Sequence, residues 1–271
     1  MGRNKLKNIP IGTEVILDAK YDGLYIDWIV VHKNTEDSKI YPKNSVLLMT
    51  KKIVTIKAFD GKENNVRHCY NSELEFGSND WGESCIRKWL NTLAECNWQF
   101  RESSPPYPEN VVYNPYDTEL GFLTLFSNEV LAEMLPVTIP YVKENSVRRE
   151  SKDLVFLPSK TELGIRCKNK EGECFDYFKG IKKRKRRIAN PVPKAIRRLD
   201  DKFRQDFQNC NEFNPWNYML RSIDEDSKIN FCRNSTITAR GKLGSSFSFT
   251  GWSGVRPVIC LADDAEGDAL D

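Results

Sequence analysis

What the chain lacks narrows its chemistry first. No run approaches the roughly 18–20 consecutive apolar residues that a membrane-spanning helix needs, so no transmembrane span is expected. The opening Met1-Gly-Arg-Asn-Lys-Leu-Lys-Asn has no apolar core of the kind a signal peptide carries. Leu6 stands where a myristoylation signal beginning at Gly2 wants Ser or Thr. Folding in a cytoplasm is the expectation. Histidine is scarce, with only His32 and His68. His68 neighbours Cys69, so on a strand the two point to opposite faces, and no third ligand lies near. No metal site is expected. The local signatures of catalysis are missing too: no Gly-x-Ser-x-Gly elbow, no His-Glu-x-x-His helix, no Gly-x-Gly-x-x-Gly and no P-loop. Triads assemble in space and not in sequence, but nothing marks one here. The chain is read as a non-enzyme with no catalytic residues and no cofactor.

Cysteine is present but unpatterned. Cys69, Cys85, Cys96, Cys167, Cys174, Cys210, Cys232 and Cys260 form an even set with no Cys-x-x-Cys spacing. Without a secretion signal, free and mostly buried thiols are the first expectation. Cys167 and Cys174 bracket a Lys/Glu/Gly-rich turn and can lie opposite each other in a hairpin, so a disulfide or a metal site stay as alternatives. A hydrophobic fraction of 39%, with fourteen Phe, ten Tyr and six Trp, is enough for a core. A chain of this length buries roughly 70–75% of its extended surface and needs no disulfide staple.

Hydrophobic periodicity divides the chain into short elements. Residues 13–18 and 25–31 read as strands turned by Tyr21-Asp22-Gly23, and residues 45–58 as a further β-rich pair. Ile86, Trp89, Leu90 and Leu93 take the i, i+3, i+4, i+7 spacing of one helical face, with Ser84 as N-cap. A second helix is expected over 127–135, with Val130, Leu131 and Met134 inward and Pro136 ending it. Residues 102–115 hold four prolines and read as an irregular loop. Residues 152–158 read as a strand and 159–163 as a turn or helix start.

Toward the C-terminus, polar and aromatic segments broken by Gly241, Gly244, Gly251 and Gly254 read as short strands joined by tight turns. An arginine follows an apolar residue in Met219-Leu220-Arg221-Ser222 and again in Gly254-Val255-Arg256-Pro257. Arg221 and Arg256 are expected as buried structural clamps, because a planar guanidinium satisfies several carboxylate or carbonyl acceptors at once. Phe247 and Phe249, two apart, share one face of a strand. With Trp216, Tyr218 and Trp252 they make either ordinary core packing or a display surface, for which Tyr, Trp, Ser and Asn are suited. Trp252, Tyr218, Phe249 and Asn234 are the candidates for such a ligand or partner surface, with Trp252 the most exposed. Asp224, Glu225 and Asp226, with Asn230 and Asn234, match no calcium-loop spacing and read as a solvated acidic turn.

Charge is concentrated. The chain nets only +3, yet Lys182, Lys183, Arg184, Lys185, Arg186 and Arg187 are consecutive, and Lys194, Arg197, Arg198, Lys202 and Arg204 follow. Residues 168–212 read as a basic insertion and residues 263–271 as an acidic tail. The run at 182–187 is a candidate docking patch for an acidic neighbouring subunit, or a solvated loop. Clustered cations also release counterions from nucleic acid, so a nucleic-acid-associated protein using residues 182–204 is the competing class. Interleaved aromatics for base stacking and any nucleic-acid fold motif are absent. A nuclear-targeting patch is a third reading.

Seven blocks in order carry a resemblance: Trp28-Ile29-Val30-Val31, Ser45-Val-Leu-Leu-Met-Thr50, Trp81-Gly82, Cys85-Ile-Arg-Lys-Trp-Leu-Asn91, Lys152-Asp-Leu-Val-Phe-Leu-Pro-Ser159, Met219-Leu-Arg-Ser222 and Gly254-Val-Arg-Pro257. Over roughly residues 10–262 the chain resembles a family of bacterial and phage domains with the motifs W-x-V, LRxWLN, DKxFLLS, WWLRS and GVRP. That family is similar to the C-type-lectin-like fold of phage receptor-binding and diversity-generating variable proteins. Asn217-Tyr218-Met219 stands where the family has a tryptophan pair, and the insertion at 168–212 is atypical. The resemblance implies one α+β C-type-lectin-like domain over residues 1–271. Its parts would be a twisted antiparallel sheet, two flanking helices, and a long loop region ending in a returning strand over 255–261. It implies non-enzymatic binding or structural work as a phage or prophage virion component on the capsid, neck or tail, assembled in the host cytoplasm. The partners it implies are other virion subunits and a cell-surface receptor or glycan, with no membrane. A formylglycine-generating-type enzyme shares related architecture, but it needs catalytic cysteines or a metal, and the cysteine spacing does not support it.

Overall fold

The computed structural model describes residues 3–21, 23–34, 38–61, 76–93, 120–143, 146–193, 195, 211–225 and 232–270. A short strand, β1 (Asn4–Lys5), precedes the hairpin of β2 (Glu14–Tyr21) and β3 (Leu24–Asn34), which is longer than the alternation at 13–18 and 25–31 predicts. Gly23 turns it at φ +80°, a left-handed value open to glycine at no steric cost. Residues 45–58 form the expected pair, β4 (Ser45–Thr50) and β5 (Thr55–Lys57). Ser84 caps α1 (Cys85–Leu90), its Oγ accepting the Arg87 N–H at 3.3 Å. Ile86, Trp89 and Leu90 are buried, but the helix stops at Asn91, so Leu93 lies past its end and is exposed. Ser127 caps α2 (Asn128–Glu133), shorter than the periodicity over 127–135, with Met134 buried and Val130 and Leu131 half-buried. The proline-rich stretch at 102–115 lies outside the described residues.

The strand predicted over 152–158 is divided between two sheets. β6 (Val137–Lys143) and β7 (Val147–Asp153) make a separate hairpin, while β8 (Val155–Phe156) joins the main sheet. After α3 (Lys183–Arg186) come β9 (Tyr218–Ile223), β10 (Arg233–Ile237), β11 (Leu243–Phe247), β12 (Ser253–Val255), β13 (Val258–Ala262) and β14 (Glu266–Leu270). One twisted sheet is expected from the sequence, whereas the described residues form three. A seven-stranded sheet runs β1-β14-β2-β3-β4-β13-β8, a five-stranded sheet runs β11-β10-β9-β12-β5, and β6 pairs with β7. Pairing between these strands is antiparallel except for β9 with β12. The fold is α+β and dominated by antiparallel sheet. No described helix is long and apolar enough to cross a membrane.

Two further expectations are corrected. The returning strand over 255–261 is broken at Arg256-Pro257, where the chain passes from β12 in one sheet to β13 in the other. Pro257 has no N–H for a ladder, so the break falls where pairing is weakest. The acidic stretch at 263–270 is no tail. β14 pairs with β2 and β1, and Asp264 lies 3.1 Å from Lys5 and 2.5 Å from Lys7. Its backbone ladder organises it, with Asp264 and Glu266 exposed and Asp263 and Asp268 half-buried.

One cluster of buried residues extends from Leu6 to Ala265 and draws on both sides of residue 150, including Trp28, Trp81, Trp89, Phe156 and Val258. The described part of the basic segment belongs to it through Phe175, Phe178, Ala189 and Ala195. Each such phenylalanine contributes on the order of 1.5–3 kcal/mol by leaving water. The described part of the segment is therefore a wall of the core; Lys194, Arg197, Arg198, Lys202 and Arg204 lie outside the described residues.

Candidate functional site

The richest cluster of polar side chains is internal. Arg221 on β9 is fully buried beneath the β6–β7 hairpin and the turn at 157–162. Its two terminal nitrogens donate to the Glu162 carboxylate at 2.6 and 2.7 Å, and also to the carbonyls of Leu157 at 2.7 Å and Glu171 at 2.6 Å. Glu162 further accepts the Tyr41 hydroxyl at 2.8 Å and the Ser159 N–H at 2.8 Å. Glu171, buried beside it, accepts the Val142 N–H at 2.9 Å and the Ser222 hydroxyl. Burial lowers the Arg221 pKa, but Glu162 outweighs it and holds the guanidinium charged. Burial pushes the Glu171 carboxyl up, with Arg221, Ser222 and the Val142 N–H opposing it in part. Burial and the Glu162 charge push the Tyr41 phenol well up. Lys160, also buried, lies 3.3 Å from Glu225. Nearly every donor and acceptor in this cluster is used inside the cluster.

Arg256 sits at the crossing between sheets. It is buried, its Nε donates to the Thr50 carbonyl at 2.6 Å, and the Thr50 N–H donates to the Pro257 carbonyl at 3.1 Å. It thus ties the β4–β5 crossing to the β12–β13 crossing. Its guanidinium lies 5.5 Å from the Tyr218 ring. Gly254 must be small, since a Cβ there would meet Ile53 at 2.6 Å and the Asn217 carbonyl at 2.8 Å.

The remaining blocks of the resemblance also meet one another. Buried Asp153 accepts Trp81 Nε1 at 2.9 Å and Arg87 Nε at 2.7 Å. Asn91 accepts the N–H groups of Leu154 and Val155 and donates to the Val155 carbonyl at 2.8 Å. Motifs far apart in sequence are bonded partners in space, and what they bond is the fold. The matching family model spans residues 43–263 and is described as a domain of unknown function (DUF6273). This chain belongs to that family. Nothing among curated proteins or solved structures matches it. The hairpin β2–β3 precedes the matched span of the DUF6273 domain, yet it supplies the centre of its largest sheet.

The proposed display surface is not assembled. Tyr218, Phe249 and Asn234 are buried in this DUF6273 domain: β9 is buried along its whole length, β10 from Asn234 to Ile237, and Phe249 packs among aromatic rings. Phe249 lies past the end of β11, so it shares no strand face with Phe247. The two rings still meet at 5.8 Å, and each lies 6.0 Å from Phe76. Trp252 is half-buried, donating through Nε1 to Ser246 Oγ at 3.2 Å and accepting the Trp216 Nε1–H at 2.8 Å on its carbonyl. The acidic turn is not free either, since Asp224 lies 3.5 Å from Arg233 and Glu225 beside Lys160. Asp226 and Asn230 lie outside the described residues.

The basic run divides. Lys182, Lys183, Arg184 and Lys185 are exposed. Arg187 is buried and donates to the carbonyls of Leu163 at 2.9 Å and Gly164 at 3.1 Å, so it leaves the docking patch. Arg186 is half-buried, over the Tyr177 ring at 4.8 Å, and donates to the Tyr177 carbonyl at 2.5 Å. No aromatic or apolar pattern in the run announces this division. The partners of Arg186 and Arg187 come from 163–164 and 177, which only the fold brings close.

Cys85, Cys167, Cys174, Cys232 and Cys260 are free, and 167–174 forms no strand hairpin. Cys69, Cys96, Cys210 and His68 lie outside the described residues. Buried His32 places Nδ1 2.9 Å from Asp176. Burial opposes the Asp176 charge, but Lys179 and His32 outweigh it and hold that carboxyl low. Among the described residues no three His, Cys, Asp or Glu side chains gather as a metal site.

Proposed function

We propose that this chain is a non-enzymatic binding and structural module of C-type-lectin-like type, serving as a component of a phage or prophage particle among other protein subunits. One observation carries the non-enzymatic reading. Glu162, Glu171 and Tyr41, which could do acid–base chemistry, are buried around Arg221 with their polar atoms bonded to it, to one another or to nearby chain groups, and buried Lys160 is paired with Glu225. A general acid or base must come within hydrogen-bond reach of a substrate, and these are closed off by the fold they hold together. The lectin-like and particle readings rest on the motif order described above.

A formylglycine-generating-type enzyme is the competing class, and it calls for a reactive thiol. Burial pushes the thiols of Cys85, Cys174, Cys232 and Cys260 up, away from the thiolate that such chemistry uses. Particles induced from the natural host, banded on a density gradient and examined by mass spectrometry, test the setting. The chain should band with the particles, and its absence from them overturns that part. Incubation with a cysteine-bearing peptide tests the class. An unchanged peptide mass is expected, and loss of the thiol overturns it.

A further inference from the structure

We infer that α3 and the β10–β11 turn form one cationic docking surface whose partner is an acidic peptide segment carrying aliphatic side chains; this rests on the binding-module reading above. Lys182, Lys183, Arg184 and Lys185 are exposed, and so are Arg240 and Lys242 in the turn between β10 and β11. The two segments are far apart in sequence but touch in space. Arg184 Nε donates to the Arg240 carbonyl at 3.1 Å. Gly241 packs so closely that a Cβ there would meet the Arg184 carbonyl oxygen at 2.4 Å and Ile188 at 3.2 Å.

The platform is braced. Arg187 and Arg186 anchor one side to the carbonyls of Leu163, Gly164 and Tyr177. On the other side, the Thr238 N–H bonds the Lys242 carbonyl at 2.9 Å. The charge it holds is unbalanced, for among the described residues no carboxylate pairs with any of these six cations. α3 carries no acidic residue, so its neighbouring cations repel one another. A polyanion relieves that repulsion.

The flanking residues choose the class of partner. Ile181, wholly exposed, adjoins Lys182, and exposed Leu243 adjoins Lys242. A phosphate backbone gains nothing from aliphatic side chains, and neither 181–188 nor 238–243 offers an aromatic for base stacking. An acidic segment with leucine or isoleucine uses both features.

The test is fluorescence anisotropy of the full chain with three labelled probes: an alternating Glu/Leu peptide, polyglutamate of equal charge, and a short DNA duplex. The Glu/Leu peptide should bind most tightly at physiological salt, and every affinity should fall as salt rises. The triple variant Lys182→Gln, Lys183→Gln, Lys185→Gln and the double variant Arg240→Gln, Lys242→Gln should each weaken peptide binding about tenfold, with unchanged melting temperature. Ile181→Ser should erase the preference for Glu/Leu over polyglutamate. A double variant that binds like the parent overturns the joint surface, and tighter binding of duplex than of peptide overturns the partner class. Particle incorporation is scored separately. A chain present in particles that fails the peptide test overturns only this surface, and one that passes it yet is absent from particles overturns only the setting.

Discussion

Arg221 on β9 and Glu162, fifty-nine positions earlier, meet as a two-pronged pair at 2.6 and 2.7 Å with neither side chain exposed. Removing water from both charges is costly, and the pair stands because the remaining donors and acceptors find the Leu157 and Glu171 carbonyls, the Tyr41 hydroxyl and the Ser159 N–H. Arg221→Lys keeps the charge but loses the planar fork, leaving Glu162 poorly matched. Chemical denaturation should show a loss of about 3 kcal/mol. A variant as stable as the parent would mean that the pair does not clamp the fold.

Trp89 gives a packing test. It is fully buried on α1, its ring lies 5.2 Å from Phe122, and its Nε1 donates to the Leu120 carbonyl at 3.0 Å. Trp89→Ala should cost about 3–5 kcal/mol, because both contact area and a satisfied donor are lost. A loss under about 1 kcal/mol would show that α1 is peripheral to the common core.

Glu171 should write itself into the pH profile. Burial raises its pKa, so the folded chain binds this proton more tightly than the unfolded chain does. The stability it contributes is therefore full below the ordinary carboxylate pKa and declines as pH rises through the raised one. Glu171→Gln should flatten the stability profile across that window. Parallel profiles for parent and variant would remove Glu171 as the titrating group.

The thiols offer a fourth check. Burial pushes Cys232 and Cys260 up to about 11 and Cys85 well above its ordinary value. Near pH 8 the first two are then only ~0.1% thiolate. Peptide mapping after iodoacetamide treatment should find Cys232 and Cys260 unmodified in the native protein and modified in denaturant. The melting temperature should be the same with and without reductant, and a clear drop on reduction would mean that a disulfide holds the fold.

Several features were legible because short-range chemistry decides them. Ser84 announces its helix because an N-cap needs only an oxygen placed before an apolar repeat, whereas Ser127, expected inside the second helix, proves to be its cap. Arg221 and Arg256 stand out because a guanidinium beside apolar neighbours demands acceptors. The candidate display surface was not legible. Tyr218, Phe249 and Asn234 look the same in sequence whether they face water or the neighbouring strand, and β11 ends at Phe247, two residues too early for the alternation through Phe249 to hold.

The amino-acid sequence by itself determined most of the short strands, the two helices with the Ser84 cap, and the presence of a concentrated cationic run. Those follow from side-chain period, capping and charge within a few residues. Tertiary structure alone decided where that run divides, with Arg187 drawn inward by carbonyls at 163–164 and Lys182–Lys185 left outside beside Arg240. It also decided that the acidic stretch after Asp263 becomes β14, paired with β2 and β1. The reason is that each outcome depends on a partner far along the chain, and neither charge nor periodicity says which distant backbone will come within hydrogen-bonding distance.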